Sequence, residues 1–436
     1  MSTKIFGDVL QKFVDKSPAT VMVHGLPEYL LNEDRLNEWF DKNCGVQYTR
    51  TLLFSSVAAV MTEVVCQIKR NINSAYRRAE HINVSLTSLY NKINGTESSA
   101  SAAPVRHIAA ESSDLIKKMK SENPAWLPGY RTKLPDGNCI AEVEHRIKPL
   151  RNIKSAALPG KSLVVSDPQS ELAADVFPCE DGHAQERLLL DNILKTVKKN
   201  DCIVADRNFC TQDFLFGINK KKAVYVVRRH RLLPVENLSG EKFAGENGSG
   251  KIYERKISLR SSNNEIYNAR LITVRLNRRT RNNDSEIQIV TNIPEETADA
   301  VTAAEIYKKR WGIETAFQRL EAHFNGEISS LGYPKAAIFG FCLALVAFSI
   351  YAVVMASLRS AHTDTNIKEE VSEYYTAQEI SGVYEGMIIA ADYKEWDIFR
   401  NIRCAEMTVL LMLLARQINL RHLKKADVVQ KKKNQL

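Results

Sequence analysis

The sequence lacks the cysteine pattern of a zinc-binding or disulfide-stabilised domain. Its eight cysteines include no CxxC pair, and neither His183 nor His230 lies at zinc-site spacing from a cysteine. The composition therefore argues against a zinc-finger protein and against a secreted, disulfide-rich one. Scattered cysteines of this kind are typical of reduced thiols in a cytosolic protein.

The sequence also lacks a signal-like N-terminus and has one long apolar run. The opening residues MSTKIFGDVLQKF contain no apolar core, which predicts a cytoplasmic protein. Ala336–Leu358 are 23 uncharged residues, long enough to cross a bilayer, but Lys335 and Arg359 flank the run equally and encode no orientation. We interpret the run as a buried core helix and predict no membrane partner; a membrane protein built around it is the alternative.

Acidic residues are outnumbered, and the positive excess is concentrated in one interval. The chain has 60 Lys and Arg against 51 Asp and Glu, a net charge of +9, which favours a polyanionic partner. Residues 220–281 alone contain 16 Lys and Arg against 5 Asp and Glu, a net charge of +11. Such a concentration predicts phosphate-backbone binding, with a solvated sheet face as the alternative. The arginines that we predict to contact DNA are Arg207, Arg228, Arg229, Arg275, Arg278, Arg279 and Arg281.

The first 95 residues have helical patterns and predict a helical DNA-binding domain. NVSLTSLYNKING is one such segment, because Ser85 is a suitable N-cap and Gly95 a suitable helix stop. The following TESSASAAP has the composition of a linker. A helix-turn-helix DNA reader and a generic helical domain both fit the block. In the first case the exposed face would present Thr87, Ser88, Asn91 and Lys92.

Beyond the linker, strands and helices alternate, which predicts an α/β fold. KSLVVSD and DCIVADRNF are short strand patterns that end in aspartate, with a helical pattern between them. From residue 223 to about 292, strand patterns follow one another with no long helix, which predicts a β-rich insertion. The predicted units are 1–95 (helical, DNA-binding), 105–219 (first part of the core), 220–295 (basic β-rich insertion), 296–360 (second part of the core) and 361–436 (C-terminal helices with a basic tail).

The segment IYKKRWGIETAFQRLEAHF, residues 306–324, predicts a helix with two stripes. One stripe is apolar and would face the core. The adjacent stripe contains Tyr307, Arg310 and Glu314, followed by Gln318 and Glu321. A carboxylate beside the core is costly unless it is paired, and the simplest interpretation is an Arg310–Glu314 pair at i, i+4. A catalytic role for the glutamate is the other interpretation.

Two aspartates are further candidates for chemistry. Asp206 follows the strand CIVA, where the strand fixes the backbone and the end opens to solvent; an N-cap or turn role explains it equally well. Asp136 precedes Gly137 in LPDGN, a pair that is by itself more typical of a hairpin turn. Together with Glu314 they would form a set of three carboxylates, which can hold two divalent metal ions roughly 4 Å apart for phosphoryl transfer. Hard oxygen ligands favour Mg2+, and Mn2+ is an expected substitute.

These motifs resemble the DDE transposases of bacterial insertion sequences, in their cut-and-paste branch. Tyr307, Arg310 and Glu314 reproduce the Tyr-x2-Arg-x3-Glu signature of that branch, IVADRNF resembles its second-aspartate motif, and LPDGN resembles the first. VVRRH and LPGKSLVVSDP resemble its connecting segments, so the resemblance runs from about residue 129 to 358. It implies a ribonuclease H-like core with a β-rich insertion, in which Asp136, Asp206 and Glu314 are catalytic metal ligands. It further implies that Tyr307 and Arg310 hold phosphate.

The resemblance implies a transposase that binds the ends of its insertion sequence and catalyses metal-dependent DNA cleavage and strand transfer. Its expected partners are double-stranded DNA, as transposon ends and target, and a second copy of the chain in a synaptic homodimer. Its expected location is the bacterial cytoplasm, at the nucleoid. A catalytically impaired DNA-binding descendant and a plain metal-dependent nuclease are the alternatives. The first is favoured by one departure, because Glu321 stands where the family signature has lysine; Lys308 or Lys309 is a candidate replacement.

Overall fold

The computed structural model shows helices packed on both faces of a central sheet. It describes residues 5–44, 52–79, 82–140, 160–181, 184–261, 263–280, 283–311, 324–372, 383–384 and 386–423.

Within these residues, ten strands form one mixed sheet in the order β3-β2-β1-β4-β5-β10-β9-β8-β6, with β7 paired to β8. Strands β1 to β3 are antiparallel neighbours, whereas β4 lies parallel to β1 and β5 parallel to β4. The mixed sheet confirms the predicted α/β class with a ribonuclease H-like core. The strands are β1 (Arg131–Cys139), β2 (Lys161–Asp167), β3 (Leu172–Cys179), β4 (Asp201–Ala205), β5 (Val224–Arg228), β6 (Glu236–Asn237), β7 (Lys242–Asn247), β8 (Gly250–Arg260), β9 (Ile266–Leu276) and β10 (Glu286–Thr291).

Both faces of the central strands are buried, because successive side chains point to opposite sides of a strand. On β4, Ile203 packs beneath helices α8 (Leu190–Thr196) and α9 (Gln212–Lys220). The next residue, Val204, packs on the other face beneath α10 (Ala300–Lys309). Burial on two faces explains why the strand patterns are continuous apolar runs rather than alternating ones.

The predicted β-rich insertion consists of strands, and these strands extend the core sheet. β10 pairs with β5, and β9 and β8 follow in order. The basic interval and the residues around the two aspartates therefore belong to one continuous sheet. The boundaries of the predicted units stay predictions.

The long apolar run lies in a helix, α11 (Pro334–Ala361), that is buried in the protein. Its length and hydropathy would suit a membrane span, but 89% of its most apolar window is buried. It packs in one apolar cluster with N-terminal helices and with the C-terminal helix α14 (Cys404–Gln417). A helix that is apolar on all sides needs such surroundings, and the interpretation as a core helix is confirmed.

The helical prediction for the N-terminal block is confirmed, but the predicted linker after it is wrong. At the start of α6 (Leu86–Gly95), Ser85 accepts a hydrogen bond from the backbone N–H of Ser88 (3.1 Å), and the helix ends at Gly95 as predicted. TESSASAAP is instead largely the first part of α7 (Ser98–Lys118). Its alanines favour a helix, and its buried face packs against α11 and covers β3. Further α-helices in the described part of the chain are α1 (Asp8–Lys16), α2 (Pro18–Leu30), α3 (Glu33–Asn43), α4 (Phe54–Val65), α5 (Ile72–Arg78), α12 (Ile367–Glu370) and α13 (Asp397–Arg400).

Candidate active site

Asp136 and Asp206 lie at the same level on two neighbouring parallel strands. In the ladder between β1 and β4, Lys133 is opposite Ile203. Asp136 comes three residues after Lys133, and Asp206 comes three residues after Ile203. Adjacent strands are roughly 4.8 Å apart, so the register brings the two aspartates together.

Both aspartates lie on the side of the sheet that α10 covers. Leu134 and Val204, two residues before each aspartate, pack in the apolar cluster beneath α10, and alternation along a strand gives every second residue the same face. The pairing of β1 with β4 ends at Lys133, and the proline at position 135 has no N–H with which to extend it. Both carboxylates are partly buried, and they lie close enough for the charge of Asp206 to act on Asp136.

Asp136 lies within a strand, so its interpretation as part of a hairpin turn is wrong. The backbone N–H of Gly137 donates a hydrogen bond to the carboxylate of Asp136 (3.1 Å). Burial raises the pKa of Asp136 to about 6; Arg310 opposes this shift, and the negative charges of Asp206 and Glu186 add to it. A carboxyl group whose pKa is raised by desolvation and by like charges is typical of a functional site.

Asp206 is the N-cap of the short 3₁₀ helix Arg207–Phe209, as one of the two interpretations of the sequence predicted. Its carboxylate accepts a hydrogen bond from the backbone N–H of Asn208 (2.8 Å). The cap uses one carboxylate oxygen of Asp206. The other oxygen can therefore bind a metal ion.

A third carboxylate, that of Glu186, lies close to Asp136 and acts on its pKa. The sequence patterns did not identify this residue. A Cβ atom at position 137 would lie 2.4 Å from Oε1 of Glu186, so any larger residue there would displace the glutamate side chain. Oε2 of Glu186 accepts a hydrogen bond from Nδ2 of Asn208 (3.2 Å). The one available signal was a glycine inside a strand, which marks the close approach of another group.

Helix α10 brings Tyr307 and Arg310 to the aspartates. Only 5% of Tyr307 and 7% of Arg310 is exposed, and the guanidinium lies 5.9 Å from the centroid of the tyrosine ring. Burial raises the pKa of Tyr307, and the positive charges of Arg310 and Arg228 oppose this shift. The same charge of Arg310 acts on Asp136. The site thus combines two carboxylates with a buried guanidinium, a group that can grip an anionic oxygen.

Glu314 lies outside the described residues, as does Glu321. The described part of the helix predicted for residues 306–324 ends at Lys309, with Arg310 as its C-cap. Among the residues that the structure describes, no group of three His, Cys, Asp or Glu side chains is arranged to hold a metal ion. The described donors nevertheless fit a divalent cation, because Asp136 and Asp206 offer hard oxygens. A bound cation would also offset the cost of burying a charged Asp136 and its repulsion by Asp206, both of which raise the pKa of Asp136.

Four of the arginines predicted to contact DNA have partners within the fold. A nitrogen of Arg228 lies 2.8 Å from Oδ2 of Asp284, Arg275 pairs with Glu241, and Arg229 donates a hydrogen bond to a glutamine side chain of β10. Arg279 donates a hydrogen bond to Oδ1 of Asn283 (3.1 Å) and is exposed. Arg207 and Arg278 are also exposed, and Arg281 lies outside the described residues.

Two comparisons with known proteins show which family the chain resembles. Residues 161–348 match the family described as Transposase DDE domain. The chain is also 25% identical over 148 residues to the putative transposase for insertion sequence element IS4SA of Synechocystis sp. (strain ATCC 27184 / PCC 6803 / Kazusa). The aligned segment covers 33% of this chain and 38% of that relative, so the chain matches well under half of the relative's length.

The family match and the site overlap in part. The match includes the positions of Asp206, Tyr307, Arg310 and Glu314, and it begins after Asp136. Asp136 joins the set through the parallel pairing of β1 with β4. The match over residues 161–348 and the similarity to an insertion-sequence transposase support the resemblance to the DDE transposases that the motifs predicted.

Proposed function

We propose that the protein binds the ends of its insertion sequence, cleaves the DNA there and joins the cut ends to a target. The observation that carries the proposal is the placement of Asp136 and Asp206 at the same level of two neighbouring parallel strands, with Tyr307 and Arg310 on the same side of the sheet. The sequence motif Tyr-x2-Arg-x3-Glu assigns Glu314 as the third member of the set.

In this proposal Asp136, Asp206 and Glu314 hold divalent cations, Mg2+ in the cell with Mn2+ as a substitute. Bound there, the cations supply activation of the attacking hydroxyl and stabilisation of the leaving oxygen in phosphoryl transfer. The protein's contribution is rigidity: the backbone N–H groups of Gly137 and Asn208 fix the carboxylates of the two aspartates.

Arg310 holds a non-bridging oxygen of the scissile phosphate in the same proposal. Its guanidinium is buried, and its positive charge lowers the pKa of Asp136. The same charge would therefore attract a phosphate bound beside the aspartates. A guanidinium binds two phosphate oxygens in a fixed geometry, which orients the phosphorus for attack. Tyr307 packs beside this guanidinium and limits its movement.

The DNA partner is proposed to lie along the exposed basic residues of the insertion. Arg278 and Arg279 are exposed in the connection between β9 and β10, and Arg207 is exposed directly after Asp206. A duplex in contact with all three would include Arg207, the residue directly after Asp206. A second copy of the chain in the synaptic complex and a location at the bacterial nucleoid complete the proposal.

Incubation with a labelled duplex that carries one end of the insertion sequence, plus a supercoiled target plasmid and Mg2+, tests this function. We expect cleavage at the end and a labelled product joined to the plasmid. A duplex with a scrambled end is the matched control and should be neither cut nor joined. Cutting of both duplexes without joining would identify a plain nuclease, and binding without cutting would identify an impaired descendant.

A further inference from the structure

Glu186 contacts the supports of both aspartates. Its Oε1 occupies the space that a side chain at position 137 would need, and its Oε2 accepts the hydrogen bond from Asn208. Gly137 and Asn208 are the residues whose backbone N–H groups hold Asp136 and Asp206. The carboxylate of Glu186 therefore lies against both residues that donate hydrogen bonds to the proposed metal ligands.

We infer that Glu186 is a positioning residue that sets the spacing of Asp136 and Asp206 for the cleavage reaction. The inference rests on the proposed function and extends it by one residue. Glu186 acts through Asn208 and Gly137, and it is not itself placed on the substrate or the cations.

The direction from which Glu186 approaches supports a positioning role. Glu186 begins a short 3₁₀ helix, Glu186–Leu189, and Leu189 at its end packs in the apolar cluster beneath α8 and α9. Asp136 and Asp206 lie on the opposite face, beneath α10, as Leu134 and Val204 show. Glu186 is therefore anchored on the face of the sheet that is opposite to the face with Asp136 and Asp206.

Glu186 is itself held by a third element of the fold. Nζ of Lys161, at the start of β2, lies 3.9 Å from Oε1 of Glu186 and donates a hydrogen bond to the carbonyl oxygen of Ala184 (3.2 Å). The side chains of Lys161 and Glu186 are both largely buried, so the contact persists better than an exposed ion pair. Residues that orient metal ligands in this way typically contribute 10- to 100-fold to metal affinity or activity.

Three substitutions distinguish a positioning role of Glu186 from an effect of its size or its negative charge. Glu186→Ala removes the acceptor of the Asn208 hydrogen bond. Glu186→Gln keeps a carbonyl acceptor of nearly the same shape. Gly137→Ala leaves Glu186 in the sequence but displaces it, because the new Cβ would lie 2.4 Å from Oε1, the mobile end of the glutamate side chain.

We expect Glu186→Ala and Gly137→Ala each to slow Mn2+-dependent cleavage of an end-containing duplex by roughly 10- to 100-fold. The double variant should be no slower than either single one, because both remove the same contact. Glu186→Gln should restore most of the rate. Without DNA, the MnCl2 concentration that gives half-maximal protection against urea unfolding should rise in the two impaired variants. Asp191→Ala, at an exposed acidic residue of α8, is the matched control and should behave as wild type.

A Glu186→Ala rate within about twofold of wild type, or a Glu186→Gln rate as low as that of Glu186→Ala, would overturn the inference. Asp206→Asn, measured in the same series, distinguishes this failure from that of the proposed function. If Asp206→Asn abolishes cleavage while Glu186→Ala does not, only the positioning role is wrong. If Asp206→Asn cleaves normally, the proposed active site itself is wrong.

Discussion

Replacement of Asp136 by asparagine should stabilise the protein in the absence of metal. Burial raises the pKa of Asp136 from the ordinary 3.8 to about 6, so the folded state favours the protonated carboxyl. Stability that this group contributes below pH 4 is lost as the pH rises through 6, because the charged form is then buried. A shift of about two pKa units corresponds to roughly 3 kcal/mol at 1.36 kcal/mol per unit, and partial exposure makes this an upper limit.

Urea unfolding in EDTA between pH 4 and pH 8 measures this effect. Above pH 6, Asp136→Asn should unfold at higher urea than wild type, and the advantage should vanish towards pH 4. The matched control is Asp201→Asn on the neighbouring strand, where the fully buried Asp201 pairs with Arg131 (2.8 Å) and Lys133 (2.9 Å). That variant should lose roughly 3 kcal/mol or more. The reasoning would be refuted if Asp136→Asn were no more stable than wild type at pH 7.5. It would also be refuted if the urea midpoint of the variant differed from that of wild type by the same amount at every pH.

Three other variants, one triple and two single, test the proposed contacts with DNA. Neutralising Arg278, Arg279 and Arg281 together should flatten the log–log salt dependence of end-DNA binding by up to roughly 3 units; an unchanged slope in anisotropy titrations would show that this surface does not touch the backbone. Arg310→Lys should slow cleavage by roughly tenfold or more at an unchanged urea midpoint, because an ammonium cannot bind phosphate in the bidentate manner; wild-type turnover would leave Arg310 a structural role only. Glu321→Lys should raise the cleavage rate or end affinity if Glu321 lies near the scissile phosphate, and an equal or lower rate would show that it points elsewhere.

The sequence predicted the elements of the site better than their arrangement. Asp206 was identifiable because an apolar strand pattern ends directly before it, and the structure shows both the strand and the N-cap. Asp136 was harder, because Asp-Gly is a common turn pair. Only the structure shows that the glycine after it lies against Glu186, which comes from a different segment of the chain. Contacts between distant segments leave little local signal, and this is why Glu186 was not predicted.

Tertiary packing also explains the errors in the helical and basic regions. TESSASAAP has the composition of a linker, but α7 gains burial against α11 and β3, which local composition does not show. Net charge likewise overstates the surface available to DNA. Arg270 is counted in the excess of +11, yet it is buried, pairs with Glu254 and donates hydrogen bonds to two backbone carbonyls.

The most direct test of the central claim is the single-turnover cleavage rate of Glu314→Gln, with end-DNA affinity measured on the same preparation. Glutamine keeps the shape of glutamate but removes one anionic ligand, so binding and the metal-free urea midpoint should be preserved. Magnesium-dependent cleavage should fall by several orders of magnitude, and adding Asp206→Asn should lower it little further, because the carboxylates act as one unit. A Glu314→Gln protein that cleaves at the wild-type rate, and loses only stability, would contradict the account.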